Sequence, residues 1–182
     1  MIIGSSRKGL IFNSDFLDID LVSDFKLLGV CVDENLTFTN HVCNILSQCN
    51  SRLYLLKLLR DRGLHIKSLH SIYVSLIVNR ITYAVSAWGG LISQRHIDKI
   101  NAMFKRARKY GFTDTVYDYR GLLYHCDATL FNKARSDLHC LNRFLPTRQL
   151  DYGQRDRDHN YALPICKSSL YRNSFIPRFL FS

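Results

Sequence analysis

The sequence contains six cysteines, but it has no Cys-x2-Cys and no His-x3-His spacing. Structural zinc sites nearly always carry one of these, so the pairs His41/Cys43, His125/Cys126 and His139/Cys140 predict no metal site. No serine is framed by glycines as in a strained nucleophile elbow, and no spacing sets a base beside a nucleophile. Gly4-Ser5-Ser6-Arg7-Lys8-Gly9 lacks both the spacing and the following helix of a phosphate-binding loop. No internal repeat or low-complexity tract stands out. Met1-Ile2-Ile3 is too short for a signal core, and its basic pair follows it, so reduced thiols and an intracellular setting (nucleus or cytoplasm) are expected. The most apolar run, residues 69–92, is interrupted by His70, Asn79 and Arg80. A mid-span Arg costs roughly 3 kcal/mol on insertion, so a buried helix is predicted there and no membrane span.

Acidic residues are also in short supply. Fifteen Asp/Glu face 25 Lys/Arg, a formal net charge of +10. The excess is uneven: residues 1–91 hold nine cations against seven acids, and residues 92–182 hold sixteen against eight. An acidic partner follows, nucleic acid first and an anionic membrane surface second. With 47 % apolar residues the chain can bury a core.

The pattern predicts a mainly α (α+β) protein. A small N-terminal β-layer is expected from residues 1–4, 10–12, 16–21 and the strand-like run 25–32. Thr37 and Thr39-Asn40 are candidate caps for a first long helix. On it Val42, Ile45, Leu46, Cys49, Leu53, Leu56 and Leu59 recur at three- and four-residue steps, one stripe about 100° wide. Gly63 ends it. A second helix is predicted over 67–88, apolar on most sides, and ends at Gly89-Gly90. A third runs over 94–110 after Ser93 and stops at Gly111, with Ile97, Ile100, Phe104 and Ala107 inward. A fourth covers 127–144, with Asp127 as its cap and Leu138 in its apolar register. From Thr147 periodicity disappears, and an irregular, extended arm is expected. The divisions are 1–36, 37–112, 113–146 and 147–182.

Four stretches carry a resemblance. FKLLGVCVDENLTFTNHV (from Phe25), LHSIYVSLIVNRITYAVSAWGG (from Leu69), IDKINAMFKRARKYGF (from Ile97) and LDYGQRDRDHNYALPICKSSLYRNSFIPRFLF (from Leu150) follow one another as in LINE-type (jockey and chicken-repeat class) reverse transcriptases. They resemble the end of the palm, the thumb and the C-terminal arm of that family. The resemblance implies that Phe25, Lys26, Leu28 and Gly29 lie beside the primer terminus and that the helices hold a template–primer duplex of RNA or DNA. The family's polymerases bind two Mg²⁺ on adjacent aspartates. This sequence has no Asp-Asp pair, and Asp18-x-Asp20 and Asp156-x-Asp158 lie in unsuitable settings. The resemblance therefore implies a C-terminal remnant that is not an enzyme on its own, binds no cofactor, and lacks the N-terminal polymerase region of its parent.

The basic side of the third helix is the main candidate site. Lys105, Arg108 and Lys109 share a face, and Lys99 and Arg106, seven apart, form a second row. Such a row can track phosphates; a solvated helix face reads the same residues. Arg155, Arg157, Arg172 and Arg178 interleave with Tyr152, Tyr161, Tyr171 and Phe175, a composition that can hold single strands or mark a loose end. The alternative function is an α-helical module that binds protein.

Overall fold

The computed structural model describes residues 22–148 and 159–182. The strands expected over 1–4, 10–12 and 16–21, both Asp-x-Asp pairs, Tyr152, Arg155 and Arg157 lie outside the described residues. The protein is mainly α-helical with one small antiparallel sheet, as the sequence predicts. It divides into two compact units.

The first unit holds described residues 22–83 and 92–117. The run over 25–32 is a hairpin and not one strand: β1 (Asp24–Leu27) pairs antiparallel with β2 (Val30–Asp33), Leu27 opposite Val30. The turn is Leu28-Gly29, with φ of 46° and 87°. Two left-handed residues match the twist of a two-residue hairpin loop. Glycine adopts that conformation freely, whereas leucine is strained in it. A lone hairpin is marginal in water, and this one is tethered. The Cys31 amide donates to His41 Nδ1 at 3.3 Å, and the Tyr83 hydroxyl donates to the Leu28 carbonyl at 2.9 Å.

Helix α1 (Thr39–Asp61) follows a loop organised by Asp33 instead of the expected threonine caps. The Asp33 carboxylate accepts from the amides of Asn35, Thr37 and Phe38 and from the Thr37 hydroxyl. Burial pulls the Asp33 pKa up, but these bonds outweigh it and hold it below the ordinary value. The predicted stripe is buried at Val42, Ile45, Cys49, Leu53 and Leu56, while Leu59 is exposed. Gly63 (φ 85°) ends the helix as expected: its amide reaches the Arg60 carbonyl, and Leu64 reaches Leu59.

The single helix expected over 67–88 is interrupted twice. Helix α2 (Ile66–Tyr73) widens into a π-helical turn over Val74–Val78 and re-forms as α3 (Asn79–Thr82). The Arg52 guanidinium donates to the Leu76 carbonyl inside the widened turn, at 2.7 Å. The helix then stops at Tyr83 and Ala84, whose φ is 51°, before α4 (Val85–Trp88). Apolar periodicity runs through both interruptions, so periodicity alone reads one helix. Helix α5 (Gln94–Lys109) has the expected bounds and ends at Gly111 (φ 71°) by the same pair of carbonyl captures as α1.

The second unit holds described residues 84–91, 118–148 and 159–182. Its long helix, α6, is Tyr119–Ala134, eight residues earlier than the sequence predicts. The cap is Asp118, which accepts from the Gly121 amide. Asp127 is a buried mid-helix residue. Past Ala134 only a short 3-10 turn (Asn142–Phe144) remains, and Leu138 is exposed. Nor is 159–182 an extended arm, because it carries α7 (Ser169–Asn173) and α8 (Phe175–Leu180). Leu180 and Tyr161 pack with Phe131 of α6, and the Phe131 and Phe179 rings lie 4.5 Å apart. Arg178 of α8 forms two hydrogen bonds to Asp127, at 2.9 and 3.0 Å, and also donates to the Ser86 and Asn173 carbonyls. A β-carbon on Gly90 would run into Arg178 and the Asn173 carbonyl, so glycine is required there.

Two outcomes follow. Leu28→Asn relieves the strain at the hairpin tip and raises stability by about 1 kcal/mol; earlier thermal unfolding of this variant would contradict the left-handed turn. Arg178→Met leaves Asp127 buried without its cation and costs about 3–5 kcal/mol, with the Asp127→Asn/Arg178→Met pair losing less. Urea unfolding followed by Trp88 fluorescence reads this directly, since Trp88 is the sole tryptophan, lies in this unit and is fully buried.

Candidate nucleic-acid interface

Packing decides where the α5 cations point. Ile100, Met103, Phe104 and Ala107 turn into the core of the first unit, and His96 joins them. Burial lowers the His96 pKa, and Lys99 and Arg95 push it the same way, so the ring is neutral and bonds Ser93 Oγ. What is left for solvent is basic. Lys99, Lys105, Arg106, Arg108 and Lys109 are all exposed. By helical period they spread over about half the circumference. None has an acidic partner among the described residues. Lys105 and Lys109 stand farthest from the core, with Arg108 on one flank and Lys99 and Arg106 on the other. The one acid of α5, Asp98, accepts a hydrogen bond from Gln94.

The second row adjoins α1. Arg106 donates to Asn50 Oδ1 at 3.4 Å. At the end of α5, Arg60 of α1 donates to the Tyr110 carbonyl at 2.6 Å, pairs with Asp61 at 2.9 Å, and lies over the Phe112 ring. Sequence reading attached no role to the α1 side of this surface. No local signal marks that side of α1; its contacts with α5 reveal it.

Phe25 and Lys26 lie on β1, and Leu28 and Gly29 form its turn; all four are exposed. Leu28 is 84 % exposed, a large apolar side chain held in a strained conformation at a tip. Strain of that kind clusters at functional sites. Gly29 rests on the Tyr83 ring, at 3.6 Å. The hairpin packs on α1 through β2, as α5 does through its own inner face, so α1 is the common scaffold of both candidate sets.

The interleaved basic–aromatic tail is not a free strand binder at Arg178, which is committed to Asp127. Arg172 lies over the Phe181 ring. Among the described residues no three His, Cys, Asp or Glu side chains gather to hold a metal ion. Cys49 is buried, and its thiol is pushed up to about 11. A cleft of about 370 Å³ is lined by Lys67, His70, Ser71 and Asp114. In it His70 Nδ1 bonds Thr113 and the Ser71 hydroxyl donates to the Lys67 carbonyl, so His70 does not activate that serine. Among the described residues no helix is long and apolar enough to cross a membrane.

No family model matches the chain, and no solved structure matches it. Among curated proteins it is similar to a probable RNA-directed DNA polymerase from the transposon BS of Drosophila melanogaster, 25 % identical over 147 residues. The match covers 80 % of this chain and 15 % of that protein, so the chain spans a small part of its relative's length. The similarity bears out the resemblance read from the sequence at the level of a transposon RNA-directed DNA polymerase.

Proposed function

We propose that this chain corresponds to the thumb region of a LINE-type reverse transcriptase and holds the template–primer duplex. The observation that carries the reading is the exposed, unpaired cation set of α5 in a chain similar to a transposon polymerase. Each phosphate neutralised by Lys or Arg releases condensed counterions, which drives binding and makes it salt-dependent. Lys99, Lys105, Arg106, Arg108 and Lys109 contact backbone phosphates, and Phe25, Lys26, Leu28 and Gly29 stand near the primer end. Such a role places the chain inside the cell, with nucleic acid as its partner. A second reading, a helical module that binds protein, draws on the exposed Tyr54, Leu55 and Leu58 of α1.

Replacing Lys105, Arg108 and Lys109 by Gln separates the two readings. Titrating an RNA–DNA hybrid across salt, the unmodified chain binds at about 50 mM and weakens steeply. The triple variant lowers the log–log salt slope by about 2–3. Affinity indifferent to salt, or an unchanged slope, rules out the phosphate role. Primer extension with Mg²⁺ is expected to be blank for this chain, which has no adjacent aspartates; measurable extension would overturn that part of the proposal.

A further inference from the structure

We propose that α1 and α5 together form a track for single-stranded nucleic acid, with Tyr54 and Tyr110 as the surfaces on which bases stack. The inference rests on the reading of α5 as a phosphate-binding surface and extends it to a second helix and a different strandedness.

The two helices present matched rows. On α1, Asn50, Tyr54 and Lys57 follow at steps of four and three, which keeps them on one flank. On α5 and its C-cap residue, Lys99, Arg106 and Tyr110 follow at steps of seven and four, one flank again. All six side chains are exposed. The rows adjoin each other, because Arg106 bonds Asn50 and Arg60 bonds the Tyr110 carbonyl. Two helices joined at both contacts make one surface.

Its chemistry is specific. Three cations, Lys57, Lys99 and Arg106, share these two rows with two large aromatic rings. Tyr54 is 62 % exposed and Tyr110 44 %. The Tyr110 ring lies beside the Phe112 ring, with centroids 5.8 Å apart in a tilted arrangement. The acid in the α1 row, Asp61, is neutralised by Arg60 at 2.9 Å. Cations beside exposed aromatic rings suit a strand whose bases are unstacked and available. A duplex buries its base faces and offers phosphates alone, so it engages the cations without the rings. An unspecialised solvated surface would not need two tyrosines in register with the cation rows.

Fluorescence anisotropy with a labelled oligonucleotide of about 20 nucleotides tests this, as single-stranded DNA, single-stranded RNA and blunt duplex of one sequence, on the full chain. The unmodified protein binds either single strand about tenfold more tightly than the duplex. Tyr54→Ala/Tyr110→Ala removes that preference and leaves duplex affinity unchanged, while Tyr54→Phe/Tyr110→Phe keeps it. Tyr54→Leu, helix-forming and apolar, reads the ring alone if the double variant loses its circular dichroism; it too weakens single strands only. Equal binding of strand and duplex, or single-strand affinity that survives loss of the rings, overturns the track while leaving α5 as a duplex-binding surface. Binding to none of the three probes overturns both.

Discussion

The burial of one apolar stripe on α1 is the constraint on which the rest of the first unit depends. Val42, Ile45, Cys49, Leu53 and Leu56 occupy the inner side of a helix of 23 residues. Burying side chains of this size stabilises by roughly 1.5–3 kcal/mol each. α5 meets that surface with Ile100, Met103, Phe104 and Ala107. Its Lys and Arg residues then have nowhere to go but outward, since burying an unpaired charge costs far more than burying these apolar groups gains. The basic surface is therefore a consequence of the core. The hairpin owes its place to the same helix, because β2 packs on α1 and His41 of α1 takes the Cys31 amide.

The second unit is organised by a different interaction. Arg178 and Asp127, 51 residues apart, meet through two hydrogen bonds in a setting where both side chains are largely withdrawn from water. Burial pushes the Asp127 carboxyl up, while Ser86 and Arg178 pull it down. Ser86, Asn173 and Gly90 close around the guanidinium, which joins α4, α7 and α8 to α6. The final residues of the chain thus complete a core whose other members are Phe131 and Tyr161.

Much of this could be read from the residues. The α1 stripe, the glycine stops at Gly63 and Gly111 and the bounds of α5 follow from local rules. Each depends on residues within one or two turns, so a short window contains the whole cause. Where the cause is remote, the reading goes astray. An Asp before an apolar run looks like a cap, and nothing near Asp127 reveals that its partner is Arg178. Residues 159–182 show no period of their own, since Tyr161 and Phe179 are matched to Phe131 of α6, remote in the sequence. The interruptions after Tyr73 and at Tyr83 are silent for another reason: apolar spacing persists through a π-helical turn and across a single left-handed residue. Leu28 breaks a local rule outright, a leucine in the left-handed conformation that glycine or asparagine usually takes in such a turn. The cation set on α5 was legible; its neighbours Asn50, Tyr54 and Lys57 required the contacts between helices.

Taken together, a basic surface forced outward by a small core and a similarity to a transposon polymerase support the proposal that this chain grips nucleic acid through α5. Acetylation footprinting of lysines, with and without a bound RNA–DNA hybrid, tests that claim most directly. The account predicts that Lys99, Lys105 and Lys109 are shielded on binding, while Lys133 and Lys167 of the second unit react as before. Uniform reactivity at all five, or shielding confined to Lys133 and Lys167, would contradict it.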